Sequence, residues 1–167
     1  MKPRNIAWGL WVAAAACSAP RDAPPPGTKQ VGWSAASGSL RPAADSGFVV
    51  DVEVRAAIVD GWHIYSVGQK EGGPVPLSVK VSPSPPYSVA GNVTGPQPEI
   101  AKDPNFGIET ETYSSNAIIK VPVRVSASGG ADLPPLELKV RSQACSDRVC
   151  LPAQTTTLVV NPKPPNS

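Results

Sequence analysis

The chain has few of the residues that carry metal, nucleic-acid or acid–base chemistry. Its 167 residues include one histidine and three cysteines, and only 17% are charged. The net charge is +2 with scattered basic residues, so no basic patch with interleaved aromatics supports nucleic-acid binding. Zinc normally takes four ligands, which leaves a metal site as the weakest interpretation of the cysteines. We therefore expect no metal and no cofactor.

Long helices are also missing from the sequence pattern. The chain contains 21 prolines, spread over its whole length. Proline interrupts a helix because it lacks the backbone N–H and clashes with the preceding turn. The composition therefore favours an all-β class.

The N-terminus has the layout of a secretory signal peptide. Lys2 and Arg4 precede an apolar run over residues 6–16, which is too short to span a bilayer as a helix. Residues 1–17 are therefore predicted to direct export into an oxidising compartment. Cys17 has two interpretations: a lipidated cysteine of a lipoprotein, or a chance cysteine in an ordinary leader. We favour the lipoprotein because residues 18–27 resemble a tether, although Ala14 stands where leucine is usual.

The rest of the chain divides into a tether, one domain and a tail. Residues 18–40 are predicted to be a disordered tether rich in proline, serine and alanine, and residues 161–167 a disordered tail. Between them, residues 41–160 contain the strand patterns. One domain of this size suits the length of the chain.

Two long strands are clear from their alternation. Apolar residues recur at every second position in Phe48–Ile58 and in Ala117–Val125, as in a strand with one buried face. Pro122 lies on the opposite face of the second strand, which predicts an edge position or a bulge. Shorter strands are predicted at residues 62–65, 77–81, 136–140 and 155–160. This even spacing with turn signals predicts an immunoglobulin-like β-sandwich.

Cys145 and Cys150 are the two cysteines outside the leader, with four residues between them and a predicted strand on each side. Facing residues on antiparallel strands have Cα atoms ~4.5 to 5.5 Å apart, which suits a disulfide. So short a loop stabilises the fold by only about 2 kcal/mol, against about 4.7 kcal/mol for a 100-residue loop. The placement mildly favours a bond that opens and closes. On spacing alone, an inert structural bridge is at least as well supported.

An ordered series of short segments shows a family resemblance. The segments are DGWHIY at 60–65, Phe106-Gly107, Tyr113, VPV at 121–123, QAC at 143–145 and CLP at 150–152. In this order they resemble the N-terminal periplasmic domain of the thiol:disulfide interchange protein DsbD over roughly residues 45–160, nearly all the folded chain.

The resemblance implies an immunoglobulin-like domain whose cysteine pair carries electrons. Such a domain takes reducing equivalents from a membrane-linked thioredoxin-like partner. It passes them to periplasmic proteins such as disulfide isomerases or thioredoxins of cytochrome c maturation. By position, Cys150 is expected to form the mixed disulfide with a partner and Cys145 to resolve it.

The resemblance also assigns neighbours to the cysteine pair. In the family a loop caps the disulfide, and residues 103–107 (the cap loop) occupy that place, with Asp103, Asn105, Phe106 and Gly107 as its named members. Phe106 is expected to lie over the sulfur atoms, while Gly107 gives the backbone freedom to move.

His63 and Tyr65 fall where the family often has tyrosines beside the active pair. A histidine there is expected to favour the thiolate or to relay its proton. The simpler interpretation is a packed, hydrogen-bonded side chain.

The sequence also departs from the family pattern. The cysteine loop is one residue shorter than in the best-known members, and no transmembrane carrier or thioredoxin-like domain follows. Both must then be separate polypeptides.

Together these observations predict a periplasmic, monomeric thiol–disulfide exchange domain that contacts the membrane only through a lipid on Cys17. Its expected partners are thioredoxin-like periplasmic proteins and a separate membrane electron carrier. The alternative is a non-catalytic binding or scaffolding module in which the same cysteines form a structural disulfide.

Overall fold

The computed structural model describes residues 29–44, 47–82, 85–126 and 133–163. The predicted leader, with Cys17, lies outside the described residues, as does most of the predicted tether. Within these ranges the chain forms strands and turns but no helix, and hence none that is long and apolar enough to cross a membrane. The strands of the described ranges are β1 (Val31–Ser37), β2 (Arg41–Pro42), β3 (Phe48–Ile58), β4 (His63–Tyr65), β5 (Ser78–Val81), β6 (Tyr87–Val89), β7 (Glu99–Lys102), β8 (Glu109–Tyr113), β9 (Ala117–Val125), β10 (Leu136–Ser142), β11 (Ala144–Cys145) and β12 (Gln154–Val160).

The strands form three antiparallel sheets. The first has the order β1-β3-β9-β6 with β2 paired to β3, the second β12-β10-β5, and the third β11-β4-β8-β7. One hydrophobic cluster joins the inner faces of the first two sheets and receives side chains from the third. The all-β, immunoglobulin-like sandwich predicted from the sequence is confirmed.

The centre of the core comes from the two strands with the clearest alternation. β3 and β9 begin and end at the predicted residues and pair with each other over nine positions. Val52 of β3 and Val121 of β9 face each other in this register, and both are fully buried. Leu138 of β10, also fully buried, belongs to the same cluster from the opposite sheet.

The predicted boundary of the tether at residue 40 is too late in the chain. β1 (Val31–Ser37) pairs with β3 along its whole length, and Leu40 is buried in the core. The inward positions of β1 include Val31, Trp33 and Ala35, so a half-buried strand replaces the predicted tether there. At the other end, Lys163 forms a bridge with Ser39.

Pro122 lies on a strand inside its sheet, not at an edge. Its carbonyl accepts a hydrogen bond of 2.8 Å from the N–H of Ala90, so its nitrogen points to the same side of the strand. On that side the pairing of β6 with β9 ends at Val89. Beyond Ala90 the chain does not pair with β9 again until Thr94, which bridges to Lys120. The missing N–H of proline therefore falls where the neighbouring chain bulges away.

β4 sets the geometry of the site. It follows a turn in which Gly61 has φ +79°, a conformation that glycine adopts without strain. One edge of β4 pairs with β11, where Cys145 stands opposite His63. The other edge pairs with β8, which in turn pairs with β7. The cap loop joins β7 to β8, so β4 lies between the strand that carries Cys145 and the strand that follows the cap loop.

Candidate functional site

Cys145 and Cys150 form a disulfide within a tight hairpin. Backbone hydrogen bonds of 2.8 and 2.9 Å flank the pair, so the two cysteines face each other at a position that is not itself hydrogen-bonded. Side chains are closest at such positions, and the Cα atoms are 4.0 Å apart. The hairpin expected from the spacing therefore places the sulfur atoms within bonding reach without any change in the strands.

The two cysteines differ in their access to solvent. Cys145 is fully buried against β4, whereas Cys150 is partly exposed. Val149, next to Cys150, is an exposed apolar residue. An approaching thiolate can therefore reach the sulfur of Cys150 more readily than that of Cys145.

The cap loop is closed on its own backbone. The Asp103 carboxylate accepts hydrogen bonds from the backbone N–H groups of Asn105 (2.7 Å) and Phe106 (3.2 Å). The backbone N–H of Asp103 donates to the carbonyl of Ile108, and that of Gly107 donates to the carbonyl of Asp103. Gly107 has φ +71°, where a side chain would be strained. These bonds give the loop a defined shape.

Tyr65 connects the cap loop to the disulfide. Its hydroxyl donates a 2.7 Å hydrogen bond to the Asp103 carboxylate, and its oxygen lies 3.9 Å from the sulfur of Cys150. The ring of Phe106 packs edge-on against the Tyr65 ring at a centroid distance of 6.0 Å. The packing seen for Phe106 is therefore with Tyr65, and 37% of its surface is exposed.

His63 lies at the same junction. Its Nε2 atom is 3.4 Å from the Tyr65 hydroxyl and 3.8 Å from the Asp103 carboxylate. Its side chain is only 14% exposed. The structure thus brings together five of the predicted site residues: His63, Tyr65, Asp103, Phe106 and Cys150.

These contacts change the protonation of the three polar groups. Burial would raise the pKa of Asp103, but hydrogen bonds from Tyr65 and the loop backbone outweigh it and lower that pKa. Burial, together with the neighbouring carboxylate, raises the pKa of Tyr65. Burial lowers the pKa of His63, although Asp103 opposes that shift. At neutral pH the site therefore holds an ionised carboxylate, a neutral phenol and a neutral imidazole.

The histidine makes a testable contribution to stability. A histidine with a lowered folded-state pKa stabilises the fold fully above its unfolded pKa of about 6.5, and this stability is lost as the pH falls through the folded pKa. His63 is the single histidine of the chain. We expect His63→Gln to lose less unfolding free energy than the wild type between pH 7.5 and 5.5, in urea titrations. Parallel losses in the two proteins would contradict this assignment.

Sequence reasoning missed Ser146 as a member of the site. Its backbone carbonyl accepts a 2.7 Å hydrogen bond from the side-chain amide of Asn105, one of the predicted cap-loop residues, so the cap loop touches the cysteine hairpin directly. Among the described residues, no group of three or more His, Cys, Asp or Glu side chains is placed to hold a metal ion.

The family of the chain follows from a match over most of its length. The family model described as thiol:disulfide interchange protein DsbD, N-terminal, matches residues 38–162. The chain belongs to this DsbD N-terminal family. The match includes both cysteines of the hairpin, the cap loop, His63 and Tyr65. No curated protein matches the chain.

Two solved structures are similar to this chain. The DsbD N-terminal domain of Neisseria meningitidis, in its reduced form, is 24% identical over 73% of this chain and 81% of that one, with a TM-score of 0.47. The N-terminal periplasmic domain of ScsB from Proteus mirabilis is 19% identical over 81% of this chain, with a TM-score of 0.53. The alignment spans about half of the ScsB chain (47%), and at this identity it supports the fold alone.

The family and the closed disulfide together identify a thiol–disulfide exchange domain. DsbD N-terminal domains are periplasmic, and their function depends on redox partners such as thioredoxin-like proteins.

Proposed function

We propose that this domain relays reducing equivalents from a membrane-linked donor to thioredoxin-like periplasmic proteins through Cys150 and Cys145. One observation carries the proposal: of the two cysteines in the hairpin disulfide, Cys150 is partly exposed and Cys145 is fully buried. Exchange between proteins needs this division, because the first sulfur must meet the partner and the second must act after the partner has docked.

The electrons balance in two steps. In the reduced domain, the Cys150 thiolate attacks a sulfur of the partner's disulfide, and the other partner sulfur leaves as a thiolate. Cys145 then attacks the Cys150 sulfur, breaks the mixed disulfide and releases the second partner sulfur as a thiolate. The partner gains two electrons, and the domain returns to its closed disulfide. A reduced donor reopens the disulfide by the same steps in reverse.

The buried carboxylate of the cap loop lies close to the cysteine pair. Asp103 is held ionised in a buried position, and the Tyr65 hydroxyl lies between it and the sulfur of Cys150. A nearby negative charge disfavours a thiolate. A negative charge that forms on the Cys150 sulfur while the loop is closed would therefore be repelled by the Asp103 carboxylate.

The proposal also includes a cellular location and redox partners. The signal-peptide pattern of residues 1–17 and the family support a periplasmic location. We propose with it a lipid tether on Cys17 and a monomeric state. The donor is a separate membrane electron carrier, and the acceptors are thioredoxin-like proteins.

The reduction potential separates this function from an inert bridge. Structural disulfides typically have potentials below about −300 mV, and exchange pairs are more oxidising. We expect titration of the purified chain against glutathione redox buffers, followed by alkylation and mass spectrometry, to place this pair above that value. A pair that stays oxidised in every glutathione buffer would support the scaffolding alternative and end the relay proposal.

A further inference from the structure

Ser146 turns one polar group toward the cap loop. Its backbone N–H donates 2.8 Å to the carbonyl of Val149, and its hydroxyl oxygen accepts from the N–H groups of Val149 (3.2 Å) and Arg148 (3.3 Å). These bonds shape the turn between the two cysteines. The Ser146 carbonyl points out of the turn and receives the side-chain amide of Asn105.

The two ends of the cap loop are held with different strength. At its base, the Asp103 side chain is 1% exposed and accepts hydrogen bonds from Tyr65 and two backbone N–H groups. At its tip, Asn105 and Ser146 join through one hydrogen bond between exposed, neutral groups. Because buried charged groups lose far more when their partners are removed, breaking the contact at the tip costs less free energy than breaking those of Asp103.

On the proposed function, we expect a protein that docks on Cys150 to displace this tip and to cover the Ser146 carbonyl. A carbonyl that is buried without a donor is costly, so the arriving surface must supply one. A backbone N–H of an extended segment has the same donor chemistry as the amide it replaces. A small thiol without an amide supplies no donor.

We propose that Asn105 determines the specificity of exchange: its amide occupies the Ser146 carbonyl until a docking polypeptide replaces it with a backbone N–H. This inference rests on the proposed function, since it requires that partners reach the sulfur of Cys150. It assigns to Asn105 the exclusion of small thiols, and to the Ser146 carbonyl a direct contact with the partner's main chain.

The first experiment removes the donor. The oxidised wild-type chain and its Asn105→Leu and Asn105→Asp variants are reduced with dithiothreitol, which has no amide, and free thiols are counted after alkylation. Both variants lack the N–H group, and Asn105→Asp keeps the shape of the side chain. We expect both to be reduced roughly two- to tenfold faster, as loss of one neutral hydrogen bond implies. Asn116→Leu, at an exposed asparagine between β8 and β9, should react at the wild-type rate.

The second experiment tests the partner's N–H. Two short cysteine peptides are compared on the wild-type chain, one with ordinary amides and one with esters replacing the amides on both sides of the cysteine. The peptide thiolate attacks the Cys150 sulfur and frees the Cys145 thiolate, which iodoacetamide traps. We expect the amide peptide to react roughly two- to tenfold faster. Equal rates would overturn the contact with the Ser146 carbonyl.

The outcomes separate this inference from the proposed function. If the wild-type chain exchanges with dithiothreitol but either Asn105 variant reacts at the wild-type rate, the role proposed for Asn105 is wrong. The proposed relay function is then unaffected. If the wild-type disulfide resists both dithiothreitol and the peptides, the proposed exchange function is wrong. The role proposed for Asn105 is then wrong as well.

Discussion

Replacing Cys145 with alanine is expected to leave the domain covalently attached to its partner. The partly exposed Cys150 can still attack a partner disulfide, but no second sulfur is present to break the mixed disulfide. Cys145 is fully buried and its Cα lies 4.0 Å from that of Cys150, so in the wild-type domain it acts faster than any outside thiol. The adduct should therefore accumulate in the variant and be nearly absent from the wild type.

The measurement is a non-reducing gel of periplasmic extract with mass spectrometry of the adduct, in a Cys17→Ser background that leaves two cysteines. The matched control is Cys150→Ala, which retains only the buried sulfur and should form almost no adduct. Adducts of equal yield from the two variants would show that the roles are not divided between the cysteines. The captured protein also identifies the partner.

Tyr65→Phe is expected to reduce the free energy of unfolding by about 1.5 to 3 kcal/mol at pH 7, the usual range for a hydrogen bond to a charged group. The substitution removes one hydroxyl and keeps the fully buried ring in place. The Asp103 carboxylate, itself buried, loses the donor at 2.7 Å. Urea unfolding of both proteins gives the difference.

The effect of Tyr65→Phe should depend on pH. The lowered pKa of Asp103 means that its contribution to stability is present above the unfolded pKa of about 3.9 and is lost as the pH falls through the folded pKa. Without the tyrosine donor that pKa rises, so the carboxyl of the variant takes up its proton at a higher pH. The difference between the two proteins should therefore shrink as the pH falls from 7 to 3.

Tyr87→Phe provides the control for this experiment. The hydroxyl of Tyr87 donates to the backbone carbonyl of Pro134, a neutral acceptor that does not titrate. Its loss should cost about 0.5 to 1.5 kcal/mol by the same amount at both pH values. If the two variants show the same pH dependence, Asp103 is not the group that responds to Tyr65.

The fold could be predicted where large apolar residues alternate over many positions. β3 and β9 meet that condition, and their bounds are those expected from the sequence. β1 does not, because glycine, serine and alanine fill five of its seven positions. Its place is determined by pairing with β3, a tertiary contact that the local pattern does not record.

The site could be predicted only in part for a similar reason. The cysteine pair follows from its spacing within a hairpin, and the cap loop from the family resemblance. The bond from Tyr65 to Asp103 spans 38 positions, and the bond from Asn105 to Ser146 spans 41. The latter ends on a backbone carbonyl, which every residue has, so no side-chain pattern marks it.

β4 supports both the cysteine hairpin and the strand next to the cap loop. The cysteine hairpin pairs with one edge of this three-residue strand, and β8, which follows the cap loop, pairs with the other. Neighbouring strands are held about 4.8 Å apart by their ladder bonds, so β4 fixes the separation between the strand that carries Cys145 and the strand that follows the cap loop. A rearrangement of the cap loop can therefore leave the cysteine hairpin unchanged.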